Sequence, residues 1–350
     1  MSHFPLPFRI MKRLADIPLS VLDLSPIVEG GTIADSFRNS VDLARHVEKL
    51  GYTRFWLAEH HNIPGIASAA TSVLIGHVAA GTTTLRVGSG GIMLPNHAPL
   101  VIAEQFGTLE ALYPGRIELG LGRAPGTDQV TSRALRRDPA AADDFPDQVQ
   151  ELITLLGRPN PAQRVKAIPG ANSNVPVWLL GSSTFSARLA AFLGLPFAFA
   201  AHFAPRLLHE ALKIYRENFQ ASARWPQPYA MVGVPVIAAD SDEEARYLST
   251  SVLQQILNLI RHAPTPVPPP VASMDGRWSP AERAAVQDHL GAAIIGGPET
   301  VKARLEEFVA ATGADELMIH SAFHSHEDRK RSYGIVAQAA GWDGVTAPSA

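Results

Sequence analysis

Residues able to do chemistry fall in short polar runs, and each run follows an apolar, strand-like stretch. Glu59-His60-His61-Asn62 follows residues 54–58. Gly88-Ser89-Gly90-Gly91, and then Pro95-Asn96-His97, follow 85–89. Gly122-Arg123-Ala124-Pro125-Gly126 follows 116–121, and Gly181-Ser182-Ser183-Thr184 follows 176–180. Ala201-His202-Phe203 and His320-Ser321 close two later stretches. An imidazole changes charge near neutral pH, so His60 in a cleft is a candidate proton donor, acceptor or hydrogen-bonding group. The plainer reading of any one of these histidines is a structural side chain with its bonds satisfied. Ser182, Ser183 and Thr184 precede a helical pattern. Hydroxyls and free backbone N–H groups there would make an anion pocket, to which Arg123 could add charge-assisted bonds. The plainer reading is a helix capped by one serine.

The glycines divide in the same way. Gly120, Gly122 and Gly126 do not have the G-x-G-x-x-G spacing, and Pro125 interrupts the helix start that a dinucleotide fingerprint needs. They read as places where backbone comes close to a planar ligand. Gly90-Gly91 at a strand end fits either a non-proline cis bond or a bulge or tight turn.

Elements that could position these runs alternate along the chain. Strand-like stretches at 18–24, 54–58, 85–89, 116–121, 176–180, 197–200, 231–238 and 316–319 are interleaved with helical patterns at 35–50, 68–80, 99–112, 145–156, 184–193, 207–219, 243–261, 299–312 and 327–339. Apolar runs of this kind suit parallel strands covered by helices, and eight of them predict a closed (β/α)8 TIM barrel with its site at the C-terminal strand ends. Residues 1–17 read as an N-terminal extension and 18–350 as one barrel domain. Two segments break the rhythm, one at 122–144 after strand four and a proline-rich one at 263–298 after strand seven, which includes a short helix at 280–290. Each is expected to be a lid or mobile segment, the alternative being a solvated insertion.

Composition removes several classes. The chain has 350 residues and no cysteine, which excludes disulfides, thiolate nucleophiles and zinc–cysteine sites and fits the cytoplasm. The net charge is only -3 and there is no basic stripe, which disfavours nucleic-acid binding. No apolar run is long enough for a membrane span, and the first residues lack the pattern of a secretory signal. A catalytic metal is disfavoured: strand one leads to Leu22-Asp23-Leu24-Ser25, and the one H-x-H is His324-x-His326, after strand eight.

Phe55-Trp56-Leu57-Ala58-Glu59-His60-His61 resembles the W-x-x-E-H-H block of the bacterial luciferase-like flavin monooxygenases. Residues 87–97, and 104–105 through 115–123, resemble the family's next blocks, in order. The likeness runs from about Pro18 to Ala340, and Arg123-Ala124-Pro125-Gly126-Thr127-Asp128 is similar to one bacterial subgroup rather than to the light-emitting enzymes. The resemblance implies a (β/α)8 barrel that binds FMN or, in some branches, a deazaflavin coenzyme. It makes His60 the active-site histidine and Gly90-Gly91 a non-prolyl cis bond against which the isoalloxazine packs. Arg123, Ser182 and Ser183 would hold the cofactor phosphate, with Ser89 and Gly181 as further cofactor contacts. The light-emitting relatives carry a reactive cysteine in the barrel, which this chain lacks.

The resulting expectation is a monooxygenase that uses reduced FMN and oxygen on a small organic substrate. With no second nucleotide-binding unit visible, the flavin would come from a separate reductase. Analogy with the family gives a homodimer, paired through helices beside strands two and three. The competing readings are hydride transfer with a deazaflavin coenzyme, a non-catalytic flavin-binding protein and a metal hydrolase.

Overall fold

The structure is a computed structural model that describes residues 12–138 and 142–342. Eight parallel strands close into a barrel: β1 (Leu19–Asp23), β2 (Arg54–Leu57), β3 (Arg86–Met93), β4 (Ile117–Gly122), β5 (Val177–Gly181), β6 (Phe197–Phe199), β7 (Ala230–Ala238) and β9 (Glu316–His320). Neighbours in sequence pair in sequence order. The ring closes where β6 meets β7, β7 meets β9 and β9 meets β1, with Val21 opposite Phe55 on one side and Ile319 on the other. This is the expected (β/α)8 TIM barrel.

The strands are apolar on both sides because both sides are covered. Outward residues such as Val21, Phe55, Val87, Leu119, Leu179, Phe197, Val232 and Leu317 join one core with the helices α1 (Ile33–Lys49), α2 (Thr71–Ala80), α3 (Pro99–Leu112), α5 (Phe145–Leu156), α6 (Thr184–Leu193), α7 (Leu208–Asn218), α10 (Pro298–Thr312) and α11 (His326–Ala339). Leu14 and Ile17 are buried in the same core, so packing begins before Pro18. Residues 1–11 of the expected extension lie outside the described residues.

Period-two alternation turns the other set of side chains into the barrel, where they form layers. The floor is ionic. Arg54 pairs with Glu118 and Glu316, both at 2.9 Å, and Tyr229 donates to Glu316 at 2.7 Å. Above it lies an apolar layer of Leu22, Trp56, Trp178, Ala198, Met231 and Met318. A side chain at Gly88 would come within 2.8 Å of the Trp56 indole nitrogen, which donates to Glu118 at 3.0 Å and joins floor to middle.

Two elements were not expected. In the segment after β4, Asp128 accepts from the backbone N–H of Val130 and Thr131 and starts a six-residue helix, α4 (Gln129–Ala134). After α8 (Asp242–Ile260) and α9 (Pro280–His289), β8 (Ile294–Gly296) pairs with the C-terminal end of β7 outside the ring. Both are too short for periodicity to show. The proline-rich stretch between α8 and α9 is tied down at both edges. Val267 exchanges backbone bonds with Ile27 and Glu29 in the loop after β1, and α8 holds it through Thr250 to Val271 and Gln254 to Pro269.

Candidate active site

Continuing the inward alternation of three strands by one more step places His60 after Arg54-Trp56-Ala58, His320 after Glu316-Met318, and His202 after Ala198-Ala200. The three imidazoles meet at the C-terminal mouth. The rings of His202 and His320 are 5.8 Å apart, and His60 lies within electrostatic reach of both. Nδ1 of His60 lies 3.3 Å from the carbonyl of Gly126, and Nδ1 of His320 lies 3.3 Å from that of Leu22. Nδ1 of His202 is buried against Gly233 and has no partner among the described residues. Burial is the main force on all three. It lowers the pKa of His60, that of His202 to about 3 and that of His320 to about 4, so the mouth holds neutral imidazoles at pH 7. Arg329 adds to the effect on His320. It forms a buried pair with Asp23 at 2.7 Å and donates to the Ser321 carbonyl at 2.9 Å, fixing the ends of β1 and β9.

His61 and His97 are not part of this group. Each donates from Nε2 to the same Glu59 oxygen at 2.9 Å. Glu59 also accepts from the Met93 N–H at 2.9 Å and from Asn96 at 3.2 Å. Burial pushes its carboxyl up, but the two histidines and the Met93 N–H outweigh that and hold it at about 2. Glu59 is therefore a buried anionic peg joining the loops after β2 and β3. The loop after β4 is fastened to it at Gly126, whose carbonyl accepts from the His61 N–H. Gly126 has a φ of +66°, and a side chain there would lie 2.8 Å from the Glu59 carbonyl oxygen, so glycine is required.

An anion corner forms on the other side of the mouth. The Arg123 guanidinium stacks on Phe185 in the first turn of α6, 4.2 Å from the ring centroid. Ser183 is the N-cap residue of α6, but its side chain makes no cap bond. Among the described residues the hydroxyls of Ser182, Ser183 and Thr184 have no protein partner, and Arg123 has no carboxylate partner. Arg137 donates to the Arg123 carbonyl at 2.7 Å and to Asn96 at 2.9 Å. Burial, and to a lesser degree the neighbouring Arg123 charge, lower the pKa of its guanidinium. Free helix-start donors beside the Arg123 guanidinium fit a phosphate.

The peptide between Gly90 and Gly91 is cis, and the β3–β4 register shifts between Ser89 and Ile92. Gly90 is partly exposed at the mouth. A side chain there would lie 2.7 Å from Leu22, and one at Gly91 would lie 2.8 Å from the Gly120 carbonyl. Ser89 is fully buried; its hydroxyl donates to the Gly120 carbonyl at 2.8 Å and accepts from the Gly120 N–H at 3.0 Å. Gly181 makes room for Ser186, whose Cβ a side chain there would approach to 2.5 Å. Both residues thus serve the walls of the site, and their side-chain positions are already committed to the protein.

Sequence reasoning missed the Glu59 hub, Arg137 and the Asp23–Arg329 pair. Extending the alternation past each strand end would have grouped His60, His202 and His320. No comparable signal marks Arg137, which sits in an irregular loop. A cavity of about 370 Å3 opens at the opposite, N-terminal end, among Arg54, Arg86, Glu110, Glu118, Arg224 and Trp225. Chemistry in this fold belongs to the other face. Among the described residues the one grouping of possible metal ligands is Asp42, His326 and Glu327, between α1 and α11 on the outside; there Asp42 is already paired with His326 at 2.9 Å and Lys330 at 3.0 Å. No described helix is long and apolar enough to cross a membrane.

A family model described as luciferase-like monooxygenase matches residues 19–316. A luciferase-like monooxygenase of Escherichia coli strain K12 is 54% identical over 320 residues, 91% of this chain and 96% of the relative. The solved structure of apo-MsnO8 superposes with a TM-score of 0.83 at 36% identity, covering 92% of this chain and 98% of the other. The oxygenating constituent of 3,6-diketocamphane monooxygenase from Pseudomonas putida, solved in complex with FMN, shares the fold at 16% identity and a TM-score of 0.70, covering 93% and 97%.

Proposed function

The chain belongs to the luciferase-like monooxygenases, and from that premise we propose that it binds FMN across the barrel mouth and uses the reduced form with oxygen on a small organic substrate. The observation that carries this reading is the uncapped start of α6, with Arg123 stacked on its first turn. Those donors suit the terminal phosphate. The flat ring would lie over the Gly90–Gly91 backbone, with His60 at its edge.

When bound, reduced FMN supplies two electrons that activate dioxygen, one oxygen atom passing to the substrate and the other to water. The protein supplies position, dryness and proton control. Arg123, Ser182 and Ser183 anchor the tail. His60, kept neutral by burial, holds a proton on Nδ1 against Gly126 and offers Nε2 as an acceptor. The segments at 122–138 and 263–271 wall the mouth and limit water. The same residues would accept a deazaflavin coenzyme, and a separate reductase is the proposed source of electrons. Val73 on α2 and Val101 and Leu112 on α3 are large exposed apolar residues on adjacent helices, which supports pairing into a homodimer; sedimentation at working concentration tests it.

The test compares FMN with riboflavin, which lacks the phosphate. FMN is expected to bind at least about tenfold more tightly, the worth of one charge-assisted bond. Arg123→Ala should lower FMN affinity by a similar factor and leave riboflavin unchanged. Equal affinity for the two flavins, or no binding of either, defeats the reading.

A further inference from the structure

The mouth histidines carry fixed tautomers, and the tautomers carry information about the substrate. A carbonyl oxygen can only accept a hydrogen bond. His320, with Nδ1 against the Leu22 carbonyl, therefore keeps its proton on Nδ1 and presents a bare lone pair at Nε2. His60 is in the same condition through Gly126. His202 is the reverse. Its Nδ1 is buried over Gly233 with nothing to receive a proton, and a buried N–H without an acceptor is costlier and rarer than a bare acceptor. Its proton therefore sits on Nε2. Among the described residues none of the three Nε2 atoms has a protein partner, and none is enclosed.

We propose that His202 and His320 form a substrate-recognition pair, with His202 Nε2–H donating and His320 Nε2 accepting, for a neutral group that offers an acceptor and a donor on one edge, such as a primary amide or a lactam. The two rings stand 5.8 Å apart, centroid to centroid, too close for a group inserted between them but within reach of one that presents its acceptor and donor on the same edge. Ionic substrate groups fit less well. A carboxylate has no hydrogen to give to His320 Nε2, and an ammonium has no lone pair to receive the His202 proton. The charges nearest this pair are already matched, Arg329 with Asp23 below and Glu59 with its own two histidines to the side. The inference builds on the mouth being the reactive cleft, and does not depend on which flavin fills it.

The test is a long-range proton–nitrogen NMR spectrum of the full chain with nitrogen-15 histidine at pH 7, followed by titration with acetamide and N,N-dimethylacetamide. The second probe keeps the acceptor and lacks the donor. The expected spectrum shows Nδ1–H for His60 and His320 and Nε2–H for His202. Acetamide should move the His202 and His320 signals with an affinity about fivefold above that of the dimethyl compound, the worth of one neutral hydrogen bond. His320→Leu should abolish that preference. His320→Gln, whose side-chain oxygen reaches toward the place of Nε2, should restore it. His320 found as Nε2–H or as a cation overturns the inference, as does the absence of any difference between the amides, including no binding of either. Each reading fails separately: these tautomers are read without flavin, and failed FMN binding would defeat the cofactor assignment alone.

Discussion

At Glu59 one buried carboxylate takes hydrogen bonds from two imidazoles, a backbone N–H and a carboxamide. Removing the charge leaves four donors facing a weaker acceptor. Glu59→Gln should therefore cost about 2 kcal/mol or more of folding stability, measured by urea unfolding at pH 7. The pH dependence has a definite sign. The folded-state pKa is about 2 and the ordinary value 4.5. The stabilisation is thus complete above pH 4.5 and is lost as pH falls toward 2, so wild type and variant should converge through that window. A constant gap down to pH 2 would show that the charge is not what holds the loops. The W-x-x-E-H-H block was visible in the sequence, but the division of labour inside it was not. His60 and His61 are adjacent, yet alternation sends one inward to the mouth and the other sideways to Glu59, and only the closed barrel brings His97 to the same oxygen.

Among the elements, α6 shows most clearly how local rules bend at a site. A serine at an N-cap normally accepts from a backbone N–H two or three residues on, and its loss costs about 1 kcal/mol. Ser183 makes no such bond. Ser183→Ala should therefore leave the melting temperature nearly unchanged while weakening FMN binding severalfold. A stability loss of the usual capping size, with FMN affinity intact, would return this serine to a capping role. The sequence offered both readings, and whether the hydroxyl makes the cap bond is a detail no spacing encodes. Strand and helix positions were legible because burial on both sides of a parallel sheet leaves long apolar runs. The three-residue β8 and six-residue α4 escaped because neither completes a period. The 263–298 segment, expected as a lid or mobile segment or else a solvated insertion, is anchored between residues 263 and 271 to the β1 loop and to α8.

Over the whole molecule the barrel interior separates two tasks. The floor holds Arg54 between two buried carboxylates, and the mouth holds neutral imidazoles. Removing one member of a buried ionic group strands the others, at a typical cost of 3–5 kcal/mol. Arg54→Leu should destabilise by about that much, read from chemical denaturation, while the folded fraction keeps its FMN affinity. Burial already raises the pKa of Glu316, and without Arg54 it should rise further. A variant that folds normally but loses FMN would show that the two ends of the barrel are coupled. The closed ring followed from strand count, and the polar runs marked the C-terminal strand ends as the candidate site. The ionic floor did not, because Arg54, Glu118 and Glu316 are scattered single charges until the ring assembles them.

Ring closure also sets a timetable. The mouth draws on β2, β4, β5, β6 and β9, and His320 is the last residue of the final strand. On the ribosome a nascent chain would carry the serines, Arg123 and His60 long before it could seal the circle. Flavin capture should therefore begin only when synthesis is almost finished, so that cofactor loading acts as a seal of completion and truncated products leave the ribosome colourless.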